Sequence, residues 1–120
     1  MSDAMLRVWI PGDPVPAERP YFGAGGRVFV RKRSRDYKEL LTITMRAAAK
    51  RAKWNPEIAT TVLMEFFRAT RRHTDLDNLA KNQLDAGNGV LWTDDAQITT
   101  LTLRKFVGCE RPGVTIQVSA

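Results

Sequence analysis

Cysteine and long apolar runs are both scarce in this chain. The single cysteine, Cys109, cannot form an internal disulfide and is compatible with a reducing compartment. Charged residues interrupt every apolar run well before the roughly 20 residues that a membrane-spanning helix needs. The first residues show no basic segment followed by an apolar stretch, which predicts no signal peptide and an intracellular, cytoplasmic location. These absences argue against a secreted, disulfide-bonded or membrane-embedded protein.

Length and composition indicate one globular domain. The 120 residues fall within the usual size of a single domain, and 43% of them are apolar, which suffices for a buried core. The composition has none of the bias of disordered or fibrous chains. One domain covering residues 1–120 is therefore expected.

Positive and negative charges are segregated along the chain. Nineteen Lys and Arg against thirteen Asp and Glu give a net charge of +6, which indicates a polyanionic partner. Residues 1–74 hold fifteen basic and seven acidic side chains, a net of +8, whereas residues 75–97 hold five Asp and one Lys, a net of −4. A bare carboxylate cluster repels the phosphates that the basic part attracts unless a divalent cation neutralises it. This is the electrostatic pattern of a metal-dependent phosphodiesterase, although each charge feature alone is common on protein surfaces.

Strand patterns and one long helix pattern occupy the first half of the chain. Residues 6–10 alternate as a half-buried strand, and residues 27–30 form a short strand candidate. Four prolines between them, within residues 11–20, predict an extended surface segment. Ser34 is placed to cap a helix whose apolar residues recur every three or four positions, and the helix should end before Asn55-Pro56.

The second half predicts a central strand, a helix and two further strands. Residues 60–68 carry apolar groups on both faces, which is typical of a central strand. A helix is predicted over residues 76–86, and strands over 98–107 and 114–118 are expected to form a hairpin. The order β(β)αβαββ predicts an α/β (α+β) fold with a single small mixed sheet and two helices.

Acidic residues around the second helix supply the candidate site. Asp75 and Asp77 lie two residues apart, and on an extended backbone both carboxylates point to the same side and can converge on one cation. Asp77 also suits the N-cap of the helix, a structural role that would explain it without a ligand. Lys81, four residues on, is either a surface ion-pair partner or a contact to a reacting phosphate. The pair Asp94-Asp95 can close the site from a neighbouring segment, although such pairs are also common in turns.

These residues carry a family resemblance. The stretch Asp75-Leu76-Asp77-Asn78-Leu79-Ala80-Lys81, followed by Asp94-Asp95-Ala96-Gln97, resembles the signature of the RusA family of Holliday-junction resolvases. Residues 10–16 and 33–39 are similar to the family's opening strand, proline-rich turn and first helix. The resemblance spans about residues 6–118.

The resemblance implies a bacterial or phage-encoded homodimer that binds a four-way DNA junction and cuts symmetrically related strands with Mg²⁺ or Mn²⁺. It implies Asp75, Asp77 and Asp95 as metal ligands, with Asp94 as the alternative neighbour, and a requirement for Lys81 in cleavage. The catalytic set is then Asp75, Asp77, Lys81 and Asp95. Contacts to DNA phosphates are expected from basic residues of the first part of the chain: Arg19, Arg27, Arg31, Lys32, Arg33, Arg35, Arg71 and Arg72.

Two other functions stay open at this point. In a non-catalytic nucleic-acid-binding module the aspartates would serve only as caps and turns, and Asp75→Asn would leave function intact. A metal-dependent nuclease of other branched or single-stranded DNA would share the same motif, because selection of a junction depends on three-dimensional groove geometry.

Overall fold

Two helices and one mixed sheet form the fold, in a computed structural model that describes residues 4–17, 21–22, 28–29 and 32–120. The elements are, in order, β1 (Met5–Pro11), β2 (Tyr21–Phe22), β3 (Val28–Phe29), α1 (Lys32–Ala52), β4 (Thr61–Phe67), α2 (Leu76–Gly87), β5 (Thr100–Phe106) and β6 (Gly113–Ser119). Short 3-10 turns lie at Pro56–Ile58 and Asp95–Gln97. The predicted α+β fold is confirmed. In the ranges given, no helix combines the length and the apolar character needed to cross a bilayer.

The four long strands form a sheet in the order β1-β6-β4-β5, and β2 pairs with β3 in a separate two-stranded ribbon. Strand β4 is parallel to β5 and antiparallel to β6, and β6 is antiparallel to β1. The prediction that residues 60–68 form a central strand is confirmed, since β4 has a partner on each side. Its buried residues Val62, Met64 and Phe66 alternate with half-buried ones, so the helices cover one face of the sheet.

The predicted hairpin between the last two strands is wrong. Strands β5 and β6 follow each other in the chain, but β4 lies between them. Because β5 runs parallel to β4, it must be reached through a crossover, which α2 provides, and it then occupies the sheet edge. Residues 107–112 therefore cross the end of β4, a span of two strand spacings or roughly 10 Å. The mostly exposed side chains of β5 suit an edge strand, whereas the alternating burial of β6 suits an interior one.

Helix α1 begins upstream of the residue expected, whereas α2 begins at Leu76 as predicted. Helix α1 starts at Lys32, so Ser34 does not cap it and lies buried inside the first turn. The expectation failed because Lys32 and Arg33 continue the helix upstream of the serine. Helix α1 ends at Ala52, before Asn55-Pro56, as predicted. Helix α2 covers the predicted range plus Gly87, and its N-cap is Asp75 rather than Asp77.

Part of the proline-rich segment is buried, and the prediction of a surface position is wrong for those residues only. Pro14 and Val15 are buried beneath the surface. The Val15 carbonyl accepts a hydrogen bond of 3.0 Å from the buried Asn82 amide, and the Ala17 N–H donates to the Asn78 carbonyl at 2.9 Å. The segment thus lies against α2, because the buried Asn82 side chain requires a partner.

The sheet face opposite the helices carries an aromatic cluster. The Trp9 and Phe67 rings have centroids 6.2 Å apart, and Phe67 stacks on Phe106 at 5.1 Å. Trp9 and Phe106 stay 41% and 42% exposed. By contrast Trp92, between the helices and the sheet, is fully buried.

Candidate functional site

The start of α2 presents two exposed carboxylates. Asp75 has extended backbone angles (φ −66°, ψ 137°), and within the described structure its side chain makes no capping hydrogen bond. Only its carbonyl serves the helix, accepting from Leu79 N at 3.2 Å. Asp77 lies in the first turn, where its carboxylate accepts a 2.9 Å hydrogen bond from the adjacent Asn78 N–H. The fold therefore leaves the Asp75 carboxylate free to meet a ligand.

Lys81 lies one turn beyond Asp77 on the exposed side of α2, and Asp85 follows one turn later. Residues four apart are neighbours on a helix surface, so the three side chains form one stripe. The ion pairs found in the described part of the chain, Arg68 with Asp13 and Arg104 with Glu65, do not include Lys81. The Lys81 amine is thus available to an external anion.

A tightly packed turn fixes Asp94 and Asp95 beside the end of α2. The buried Trp92 indole N–H donates to the Leu84 carbonyl at 3.2 Å and to Asn88 Oδ1 at 3.1 Å. Asn88 Oδ1 also accepts from the Asp95 N–H at 2.9 Å. Asp94 caps the turn that starts at Asp95, with its carboxylate accepting from Ala96 N at 2.9 Å. Asp94 thus has a structural role.

The Asp95 carboxyl is surrounded by negative charge. Burial raises its pKa above the usual range, as do, in decreasing order, a hydrogen bond with Asp94 and the negative charges of Asp94 and Asp85. Asp85, which the sequence suggests only as a partner of Lys81, therefore belongs to this acidic group. Carboxylates held near one another favour a proton or a cation between them.

The predicted metal ligands are not gathered around one point in a single chain. Asp77 and Asp85 lie eight residues apart on α2, about 12 Å at 1.5 Å per residue, and Asp95 is at the Asp85 end. Among the residues with described positions, no three His, Cys, Asp or Glu side chains are close enough together to hold a metal ion. The donors are the carboxylate oxygens that Mg²⁺ and Mn²⁺ prefer, but Asp75, Asp77 and Asp95 as placed do not form a finished site.

Thr74, the residue before Asp75, accepts hydrogen bonds from two basic side chains, one just after β4 and one in β5. Arg68, directly after β4, donates a hydrogen bond from Nη1 to Thr74 Oγ1. Lys105 of β5 donates from Nζ to the Thr74 carbonyl at 2.7 Å. The loop that carries Asp75 is thereby fixed to the ends of the two parallel strands.

A basic pocket of about 480 Å³ opens beside this loop. It is lined by Asp13, Pro16, Arg33, Arg68, Thr70, Arg72, His73 and Thr74. Arg33 comes from the start of α1 and Arg72 from the loop before α2, so the fold brings together two expected DNA contacts that are distant in sequence.

The other expected DNA contacts are divided between exposed positions and residues outside the described ranges. Lys32 and Arg35 are exposed in the first turns of α1. Arg71 is exposed before α2, and its guanidinium packs against Gly108, where an added Cβ would lie 2.9 Å away. The positions of Arg19, Arg27 and Arg31 lie outside the described residues.

Arg68 and Lys105 are functional candidates that the sequence interpretation missed. Burial alternates at residues 62, 64 and 66 of β4, and this period places residue 68 on the covered side, where a charged residue is rare. Lys105 is the register partner of Phe66 and so faces the same side. A basic residue at a position where the strand pattern predicts burial is the sequence feature that could have identified them.

Comparison with protein families gives one match that spans most of the chain. The family described as Endodeoxyribonuclease RusA matches residues 11–119, from the end of β1 to the end of β6. A search among curated proteins found no match.

Proposed function

Since the chain belongs to the RusA family of endodeoxyribonucleases, we propose that it resolves Holliday junctions by paired, symmetric hydrolysis of phosphodiester bonds. The observation that carries this proposal is the family match across residues 11–119, which includes the whole stripe of charged residues on α2. The free carboxylate of Asp75 supports a catalytic rather than a capping role for the motif.

Each proposed residue has a role that suits its position. In the reaction a water oxygen bonds to phosphorus and the bond to the 3′-oxygen breaks; the proton that the water loses is balanced by the one that the leaving 3′-oxygen takes up. Lys81 holds the scissile phosphate and stabilises the charge that develops on it. Asp75 and Asp77 at the start of α2, and Asp95 at its end, act as the catalytic carboxylates, with Asp94 capping the turn beside Asp95.

We propose Mg²⁺ or Mn²⁺ as the cofactor, on the chemistry of the oxygen donors and on electrostatics. Bare carboxylates on a surface that binds phosphates weaken that binding unless a cation offsets their repulsion. Within the described residues no three acidic, His or Cys side chains lie close enough to hold an ion, so Asp75, Asp77 and Asp95 are proposed as the residues that would supply its oxygen ligands.

A homodimer is proposed from the symmetry of the substrate. A junction with two-fold symmetry needs two related active sites, and each chain supplies one set of candidate catalytic residues. The partners are thus a second copy of this chain and a four-way DNA junction, in the cytoplasm of a bacterium or of a phage-infected cell.

Cleavage of synthetic DNA tests the proposal. A four-way junction, a duplex and a flap are incubated with the protein with and without Mg²⁺, beside Asp75→Asn and the control Asp36→Asn, an exposed acid on α1. Paired, Mg²⁺-dependent cuts in the junction that only Asp75→Asn removes would support it. Equal cutting of flaps or single strands would favour a nuclease of other specificity. Binding without cutting in any divalent ion would favour a non-catalytic module.

A further inference from the structure

The Arg68 guanidinium is buried but incompletely hydrogen-bonded. Arg68 is 4% exposed, and its Nε has no hydrogen-bond partner among the described atoms. Among the described residues, the acidic oxygen that pairs with it is Asp13 Oδ1 at 3.8 Å, which is within ion-pair range but too far for a hydrogen bond. That oxygen instead accepts from the Ala69 N–H at 3.2 Å.

The rest of the guanidinium is already committed to the fold. Nη1 donates to Thr74 and Nη2 to the Pro14 carbonyl at 3.4 Å. A buried N–H without an acceptor destabilises the folded protein, so the unpaired Nε of a residue that lines a pocket indicates a place for an acceptor from outside.

The pocket has the charge and size for an anion. Three Arg (Arg33, Arg68 and Arg72) and one Asp (Asp13) line it, so these side chains carry a net charge of +2. Its volume of about 480 Å³ lies within the roughly 300–1,000 Å³ usual for ligand pockets. Guanidinium groups match phosphate oxygens in shape and hydrogen-bonding geometry.

We propose that this pocket is a phosphate subsite that holds one backbone phosphate of bound DNA, with Arg68 at its base and Arg33 and Arg72 at its walls. This deepens the proposed nuclease function and rests on it for the identity of the ligand. Because Thr74 both contacts Arg68 and precedes Asp75, a phosphate held here sets the register of the strand relative to the catalytic carboxylates.

DNA binding without metal tests the subsite independently of cleavage. Junctions that carry a single neutral methylphosphonate at successive positions are titrated with wild type, with Arg33→Gln/Arg72→Gln, and with the control Arg51→Gln, which lies on the same helix outside the pocket. One position should weaken wild-type and Arg51→Gln binding roughly tenfold and leave the double variant unaffected. In the double variant the slope of log affinity against log salt should also be less negative by about 0.9, the value for one phosphate contact. Equal sensitivity of all three proteins at every position would overturn the proposal.

The Arg68 Nε–H signal in NMR spectra tests the role of the buried group itself. The signal is assigned by its loss in Arg68→Lys. A junction whose strand ends carry no terminal phosphate should shift the signal in wild type but not in Arg33→Gln/Arg72→Gln. Inorganic phosphate is added in a separate arm: a response to it without a response to DNA would show a site for the free ion and reject the backbone assignment. DNA that binds and shifts the signal but is never cut would reject the nuclease and leave the subsite standing. Cutting without any shift would reject the subsite alone.

Discussion

Thr74 shows how single, part-buried contacts position the candidate site. Removing the Lys105 amine in Lys105→Met frees the Thr74 carbonyl, while Arg68 still holds its hydroxyl. We expect the single-turnover cleavage rate to fall about 10- to 100-fold, since small displacements of catalytic groups have effects of this size. Metal-free junction affinity should change little, because Lys105 points to the loop and not to DNA.

The matched control for that variant is Lys38→Met, which removes an exposed lysine from α1. Rapid-quench cleavage and fluorescence anisotropy measure the rate and the affinity separately. A Lys105→Met protein that cuts at the wild-type rate, or that loses affinity and not rate, would contradict a positioning role.

Tyr37 makes stability depend on alkaline pH. Burial raises the pKa of its hydroxyl well above the usual value, the hydrogen bond from Gln83 opposes this, and the Asp13 charge adds to it. The unfolded chain therefore loses the Tyr37 proton at a lower pH than the folded chain, so stability from this group is present below about pH 10 and is lost as the pH rises further.

Urea unfolding of wild type and Tyr37→Phe between pH 8 and pH 11 measures this linkage. At pH 8 the variant should be less stable by about 1–2 kcal/mol, because the buried Gln83 amide loses its partner. That difference should shrink above about pH 10, where only wild type is penalised by Tyr37 ionisation. Parallel stability curves over the whole range would contradict the assigned pKa direction.

The identity of the site residues is more predictable from sequence than their contacts. The spacing of Asp75, Asp77 and Lys81 was sufficient to place them at the start of α2 and along its exposed side. The structural alternative for Asp77, a helix N-cap, falls instead on Asp75, because the apolar pattern leaves the exact end of a helix uncertain by one or two residues. The partners of Arg68 come from residues 13–14 and 74, and no local pattern connects such distant residues.

At the scale of elements, the end of α2 depends on a glycine. A Cβ at Gly87 would overlap the buried Trp92 ring, although Gly→Ala inside a helix otherwise stabilises by about 1 kcal/mol. We expect Gly87→Ala to reverse that sign and to destabilise the protein by about 1–3 kcal/mol, as overpacking does. Chemical denaturation measures the change.

A double-mutant cycle separates this clash from other effects of the glycine. Gly87→Ala combined with Trp92→Leu should lose less stability than the two single changes summed, because the smaller side chain leaves room for the methyl group. Additive losses would show that Gly87 is needed for a reason other than contact with Trp92. Trp92 also donates a hydrogen bond to Asn88, which in turn accepts one from the Asp95 N–H. The losses in cleavage rate caused by the two single changes should therefore be non-additive as well.

Element types were easier to predict than their pairing. The 3.6-residue and 2-residue periods located both helices and all four long strands, because burial on one side acts on local sequence. The partner of each strand depends on which edge the α2 crossover leaves open, and this made the expected hairpin of β5 and β6 wrong. The local sequence likewise does not indicate the burial of Val15, whose carbonyl accepts a hydrogen bond from the distant Asn82 of α2.

At the scale of the whole molecule, basic cavities lie at both ends of the α2 stripe formed by Asp77, Lys81 and Asp85. The phosphate subsite adjoins the start of α2, and a second cavity of about 490 Å³ lies by Asn88 at its end, lined among others by Arg46, Lys50 and Lys53. A DNA strand that crosses the exposed side of α2 would meet positive charge before and after the carboxylates. The net charge of +6 is the sum of these opposed charges, and on the proposed function attraction at the two ends would hold the DNA backbone over carboxylates that repel it.

That arrangement predicts cooperative binding of metal and DNA. The described part of the chain brings no three ligands together for an ion. Mg²⁺ alone should therefore bind weakly, whereas a phosphate held over α2 adds an oxygen donor next to the carboxylates. Coupling of this kind is reciprocal and commonly amounts to about 5- to 150-fold. We therefore expect Mg²⁺ to bind at least fivefold more tightly to the protein–junction complex than to the protein, and the junction to gain affinity by the same factor.

Calorimetric titration of Mg²⁺ into Lys81→Gln, with and without junction, measures the coupling while preventing cleavage. Asp75→Asn in the same background should abolish the coupling and bind the junction at least as tightly as its parent without metal, because one repelling charge is removed. Asp36→Asn, which alters the net charge equally but lies on α1, should leave the coupling unchanged. Equal Mg²⁺ affinity with and without junction would contradict the prediction and would mean that the ion is bound by protein groups alone, through a rearrangement of α2 and the Asp95 turn or through a second chain.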